Sequence, residues 1–326
     1  MNRRGFLLSA TGAALTDAAA QPAPIPIIDT HIHLFDPTRP EGVPWPPKTN
    51  TIIYKPALPS RYREVTKSPG VAGAGVAGAG VVGAIAVECS PWLEDNQWVL
   101  DVAEKDTIMV GMIGNLEAGK PEFRKHLERF HRKPLFRGIR YGYLWGRNLG
   151  AELARPEFIA DLKALAAAGL TLDTANPGQR TLTDVLRITD LAPALRIVID
   201  HLPAMQPPAD AAARATYQAT LRELAPRKQV YVKISEILRR SGGRVPLELS
   251  FYRERLDEIC EAFGADRVLY GSDWPNSDPF GTYAQVLGIA REYFTGRGRE
   301  ASEKYFWRNS AAAYRWVRRD ASQPAA

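Results

Sequence analysis

The chain alternates short aliphatic runs with helical patterns eight times over, and that alternation limits its fold more than any other feature. The runs fall at 26–30, 81–87, 108–113, 136–141, 170–174, 196–200, 230–234 and 267–270. Most are rich in Val, Ile and Leu, as strands buried on both faces are, and each precedes a stretch able to form a helix. Repeated βα units imply a parallel sheet, because parallel neighbours need a crossover between them. Eight such units favour closure into a (β/α)8 TIM barrel, a single-domain α/β fold of roughly 250 residues. A chain of 326 residues accommodates one such domain over residues 25–317.

Helical patterns at 95–104, 122–131, 156–168, 182–191, 210–224, 247–263 and 283–294 fill the crossovers, and an extra C-terminal helix at 300–317 follows the eighth strand. Pro156 stands where a first-turn proline is tolerated, and Gly169 where a helix stops. Residues 318–326 read as a flexible tail. Two segments interrupt the rhythm. Residues 36–60 carry Pro37, Pro40, Pro44, Trp45, Pro46, Pro47 and Tyr54; so long a connection after strand one reads as a rim or lid loop. Val71-Ala72-Gly73-Ala74-Gly75 is repeated at once in residues 76–80. This glycine-rich insertion precedes a strand instead of joining a strand to a helix, so it is no phosphate loop.

The opening Asn2-Arg3-Arg4-Gly5-Phe6-Leu7-Leu8, the apolar run to Leu15 and then Ala18-Ala19-Ala20 have the three regions of a secretory leader with paired arginines. Residues 1–20 are therefore expected to act as a twin-arginine signal, to engage the twin-arginine export machinery and to place the protein in the periplasm or otherwise outside the cytoplasm. The apolar run of about ten residues is short of the ~20 that a permanent membrane span requires. No later segment reads as membrane-spanning. The net charge of +6 arises from 42 Lys+Arg against 36 Asp+Glu, with no dense basic stretch among aromatics, which speaks against nucleic acid as a partner. Cys89 and Cys260 read as two small buried hydrophobes, not a disulfide framework.

Chemistry concentrates at the ends of three runs. Ile27-Ile28-Asp29-Thr30-His31-Ile32-His33 ends the first strand with two histidines one residue apart. Strand alternation sends both to one side, into the mouth where barrel enzymes build their sites. Arg196-Ile197-Val198-Ile199-Asp200-His201 ends the sixth strand on a histidine, and Gly271-Ser272-Asp273-Trp274-Pro275 brings an aspartate to the same rim after the eighth. Neutral imidazoles there suit a divalent metal or a substrate oxyanion. His126 and His131 fall on an amphipathic helix and read as a solvated face.

Together these motifs resemble the amidohydrolase superfamily, and more narrowly its amidohydrolase-2 branch, which contains sugar-lactone and dicarboxylate-lactone hydrolases. Pro91-Trp92-Leu93-Glu94-Asp95-Asn96, Arg137-Gly138-Ile139-Arg140 and Tyr231-Val232-Lys233-Ile234-Ser235 are similar to that branch too. The resemblance implies that Asp273 removes a proton from the attacking water, while His31, His33 and His201 bind a metal or polarise the lactone carbonyl. It makes Arg140 and Lys233 available for a substrate carboxylate or hydroxyl. Trp92 and Trp274, with Trp145 and the 44–47 stretch, offer faces for a sugar ring. Metal-dependent relatives present a further histidine on strand five or a carboxylated lysine on strand four; here those strands carry Asp173 and Arg140. At most one Zn2+, on His31, His33 and Asp273, is expected, with metal-free catalysis as the equal alternative. The expected activity is hydrolysis of a small cyclic ester, a sugar lactone or a lactone carboxylic acid. A metal-dependent non-oxidative decarboxylase of the same branch and a non-catalytic binding barrel are the alternatives.

Overall fold

A computed structural model describes residues 24–67 and 80–325. Eight strands run parallel in sequence order: β1 (Ile27–Ile32), β2 (Val81–Val87), β3 (Met109–Gly114), β4 (Phe136–Gly142), β5 (Thr171–Ala175), β6 (Arg196–Ile199), β7 (Val230–Ile234) and β8 (Val268–Tyr270). Helices α1 (Pro59–Thr66), α2 (Glu94–Glu104), α3 (Phe123–His131), α4 (Leu149–Glu152), α5 (Pro156–Ala167), α6 (Gln179–Leu191), α7 (Ala211–Leu224), α8 (Leu249–Phe263) and α9 (Tyr283–Gly296) follow them in the crossovers. The eight βα units expected from the sequence are present, as a TIM barrel requires. Two helices are additions: α1, which starts on Pro59 at its first turn, and the short α4, capped by the Asn148 side chain.

The barrel closes through a bridge, not a full ladder. Asp273 N donates to His31 O and His33 N donates to Trp274 O, both at 2.8 Å. Asp29 clasps this seam. Its Oδ1 accepts from His31 N at 3.2 Å and Ser272 N at 2.9 Å, and its Oδ2 accepts from the Tyr62 and Tyr283 hydroxyls at 2.8 and 2.9 Å. Four donors satisfy a carboxylate that burial would otherwise penalise heavily. The closing strand β8 has only three residues, so this side-chain clasp stands in for missing ladder bonds.

Alternation divides the strands' side chains. One set packs outward against the helices. The other fills the barrel, where Ile28, Ile85, Val110, Val198 and Leu269 meet Tyr314 and Trp316. The last two arrive from the C-terminal helical stretch, which runs through α10 (Arg299–Glu303), a π-turn (Lys304–Arg308) and α11 (Asn309–Tyr314) and plugs the barrel from below. Residues 318–325 are not a free tail. The Arg319 guanidinium donates to the carbonyls of Ala103, Glu104, Asp106 and Met109, and the buried Gln323 donates to Val82 O and Thr107 O. Carbonyls at the end of α2, in the turn after it and at the starts of β2 and β3 hold the segment, and composition alone does not report them.

The proposed leader lies outside the described residues, as does the five-residue repeat except for Gly80. No described helix is long and apolar enough to cross a membrane. His126 and His131 lie on the solvent edge of α3, and Cys89 and Cys260 are unpaired.

Candidate active site

Every strand exit here points to one end of the barrel, and several turn there through left-handed backbone. Trp145, Asn176, His201, Glu236 and Asp273 have φ of 58, 56, 53, 48 and 60° after β4, β5, β6, β7 and β8. Such a conformation disfavours side chains other than glycine and concentrates at functional sites.

Three imidazoles converge on one carboxylate oxygen. Nε2 of His33, His31 and His201 lie 3.2, 3.5 and 3.8 Å from Asp273 Oδ1. The far side of each ring is anchored. His33 Nδ1 donates to Val87 O at 2.9 Å, which leaves its Nε2 without a proton. His201 Nδ1 meets Ser235 Oγ at 2.8 Å, and His31 Nδ1 meets Lys233 Nζ at 3.2 Å. Asn276 Nδ2 donates to Asp273 Oδ2 at 2.6 Å and to Glu236 Oε1 at 3.1 Å. Asp273 Oδ1 and His31 Nε2 are buried yet make no hydrogen bond. Two such orphans facing one point mark a place for a ligand.

Burial sets the protonation of this group. It raises Asp273 to about 7, against the pull of the Asn276 amide. It lowers His33 to about 4, helped by the Arg140 charge, and drives His31 and His201 well below the usual histidine range. Glu236 rises to about 8, from burial and then the Asp273 charge. Neutral rings therefore surround a carboxylate poised near neutrality.

Beneath lies a buried layer of ions. Lys233 Nζ contacts Asp173 Oδ2 at 2.7 Å and Asp200 Oδ1 at 3.0 Å, and Arg140 Nε contacts Asp200 Oδ2 at 3.0 Å. Lys233 and Arg140 thus sit at the site, as the sequence suggests, but each is engaged by carboxylates. They build the floor. Trp92 is partly exposed and shares with Trp45 and Glu88 the wall of a narrow cavity of about 20 Å³, room for one water-sized group. Trp45, from the long loop after β1, packs edge-on against His33 at 5.3 Å. Trp274 does not face the mouth: it is fully buried against Tyr62 of α1, with Arg61 over its ring.

Sequence reasoning passed over Glu88, Glu236 and Asn276. Glu88 directly follows the aliphatic β2, the same signal that singles out His201. Its Oε2 accepts from Trp145 Nε1 at 3.0 Å and Ser90 N at 3.2 Å, while its Oε1 is buried with no hydrogen bond, 4.0 Å from Arg140. A second cavity of about 140 Å³ opens beside Asp273, Glu236 and Asn276. A larger groove, of about 1190 Å³, runs between α7 and α8 and touches none of the converging residues.

His31, His33 and Asp273 have the spacing of a metal site, and so have His201, Glu236 and Asp273. Ligands about 2.0–2.1 Å from a tetrahedral zinc ion stand roughly 3.3–3.4 Å apart, close to the separations here.

A barrel with a carboxylate and three histidines at its strand exits defines a hydrolase of the amidohydrolase type. The family model described as Amidohydrolase matches residues 28–316, and the chain belongs to that family. It is 28% identical over 308 residues to an L-fucono-1,5-lactonase of Burkholderia ambifaria, covering 91% of this chain and 98% of that protein. An amidohydrolase of Burkholderia multivorans, solved with bound zinc, shares the fold with a TM-score of 0.74 at 21% identity, over 89% of this chain and 99% of that one. An Acinetobacter baumannii structure named for 2-pyrone-4,6-dicarboxylic acid hydrolysis, with citric acid bound, shares it with a TM-score of 0.65 at 18% identity, over 88% and 98%.

Proposed function

We propose that the protein opens a small cyclic ester, a sugar lactone or lactone acid, by attack of a water that Asp273 deprotonates. The observation that carries this reading is the buried, unbonded Asp273 Oδ1 ringed by three imidazole nitrogens. A base near neutrality is suited to take a proton from water, and a polar group beside it to receive the charge that grows on the carbonyl oxygen. The relative named L-fucono-1,5-lactonase supports the lactone as substrate.

Asn276 holds Oδ2 of the base and leaves Oδ1 to the water. The water gives a proton to Asp273 as its oxygen bonds to the carbonyl carbon. Collapse of the tetrahedral adduct breaks the ring C–O bond, and the departing alkoxide takes the proton back from Asp273. Neutral His31 and His201 border the carbonyl oxygen, and Trp45 keeps bulk water from His33. A divalent ion held by His31, His33 and Asp273 would supply Lewis-acid polarisation of the same carbonyl. The paired arginines near the N-terminus support export; sequencing the N-terminus of the protein from a periplasmic extract tests it.

Proton release from L-fucono-1,5-lactone, aldonolactones and dicarboxylate lactones tests the chemistry, with Asp273→Asn in parallel. Turnover by the parent protein and none by the variant is expected. No turnover of any lactone by the parent protein overturns the reading.

A further inference from the structure

The mechanism leaves one buried cation unexplained. Lys233 lies inside the barrel with no exposed surface, below the reacting groups. Its Nζ has three neighbours: Asp173 Oδ2 at 2.7 Å, Asp200 Oδ1 at 3.0 Å and His31 Nδ1 at 3.2 Å. An ammonium offers three protons and accepts none, so three acceptors saturate it. Flanked by two carboxylates, Lys233 is that ammonium.

We propose that Lys233 is a positioning residue that makes Nδ1 of His31 an acceptor and so fixes the ring proton on Nε2, the nitrogen facing Asp273. The opposite tautomer would aim an Nδ1–H at the ammonium. Its alternative acceptor, Asp200 Oδ1, is 3.6 Å away, beyond a hydrogen bond. His33 is set the other way, because Val87 O only accepts. Two histidines from one strand thus present opposite faces: His33 a lone pair, His31 an N–H. The N–H is the unbonded Nε2 found beside the unbonded Asp273 Oδ1. In the metal-free protein it serves as a donor to the carbonyl oxygen as charge grows there.

The support reaches further down. The Tyr314 hydroxyl donates to Asp173 Oδ2 at 2.7 Å, so a chain of contacts runs from the C-terminal plug through Asp173 and Lys233 to His31.

The donor role rests on the lactonase reading, but the tautomer can be measured without substrate. The full chain, labelled with ¹⁵N in its 5 histidines, gives long-range ¹⁵N–¹H spectra, with His31 assigned by His31→Gln. The expected pattern is a protonated Nε2 and a bare Nδ1 at His31, with the reverse at His33. A protonated Nδ1 at His31 overturns the proposal whether or not lactones are opened. Lys233→Met combined with Asp173→Asn removes the ammonium together with one balancing charge. In the folded double variant the His31 ring shifts should move toward the other tautomer, and kcat should fall about 100-fold while KM stays within about threefold. Unchanged His31 shifts in that variant also overturn the proposal. If the double variant fails to fold, the parent spectrum decides alone.

Discussion

Asp273 combines two properties that seldom coexist, full burial and a free oxygen. On the proposed mechanism Asp273→Asn keeps the shape and removes the base, so kcat should fall by about 10²–10⁴-fold with a native circular-dichroism spectrum. Only the carboxylate takes a proton from water, so kcat/KM of chelator-treated protein should climb as pH rises through about 7 and level off above. Stability runs the other way. Because the folded state raises this group above its ordinary value, it favours the protonated form, and the benefit is lost as pH rises through about 7. Urea melts at pH 5 and pH 8 should show Asp273→Asn gaining on the parent protein at the higher pH. Glu88 offers a test of specificity. Its Oε2 is occupied by Trp145 and Ser90, so the amide introduced by Glu88→Gln must place its NH2 at the open position. A substrate hydroxyl that donates to Oε1 would lose a charged acceptor, so if the proposed lactone substrate carries one, the ratio of kcat/KM for a hydroxylated sugar lactone to that for δ-valerolactone should drop about tenfold or more. An unchanged ratio of kcat/KM values would assign Glu88 to scaffolding alone.

Strands and helices carry most of what the sequence makes legible. All eight strands can be read, because burial on both faces leaves largely apolar runs such as Val81–Val87 and Met109–Gly114. His31, His33, His201 and Asp273 can be found because each closes such a run. Direction is what a linear pattern hides. Trp274 follows a residue with φ of 60° and turns behind the barrel, whereas strand alternation offers no warning of the turn. Partnership is hidden as well: Arg140 and Lys233 look like substrate ligands until Asp173 and Asp200 are seen beside them. The β8–β1 seam shows the same limit, since Asp29 reads as a polar interruption of an apolar strand. The seam also makes a test. A Cβ on Gly271 would sit 2.9 Å from His31 Cβ and 3.2 Å from Ser235 Cβ, so Gly271→Ala should cost about 1–3 kcal/mol in chemical denaturation and slow turnover by displacing His31.

At the scale of the whole molecule, the two ends of the barrel have opposite duties. One is a mouth lined with unbonded polar atoms, and the other is stoppered by Tyr314, Trp316 and the Arg319 segment. Arg319 bonds four carbonyls with one guanidinium, and its replacement by alanine removes all four of these bonds at once. Arg319→Ala should therefore destabilise the protein by about 2–3 kcal/mol, read as a lower melting midpoint, with kcat close to that of the parent because the mouth is untouched. The stopper also dictates an order of events during synthesis. Tyr314, which supports Asp173 beneath His31, leaves the ribosome after all eight strands, whereas His31 leaves with the first of them. A nascent chain that has delivered its eight strands but not yet Tyr314 still lacks the floor of its own site, so competence for chemistry arrives later than the barrel itself.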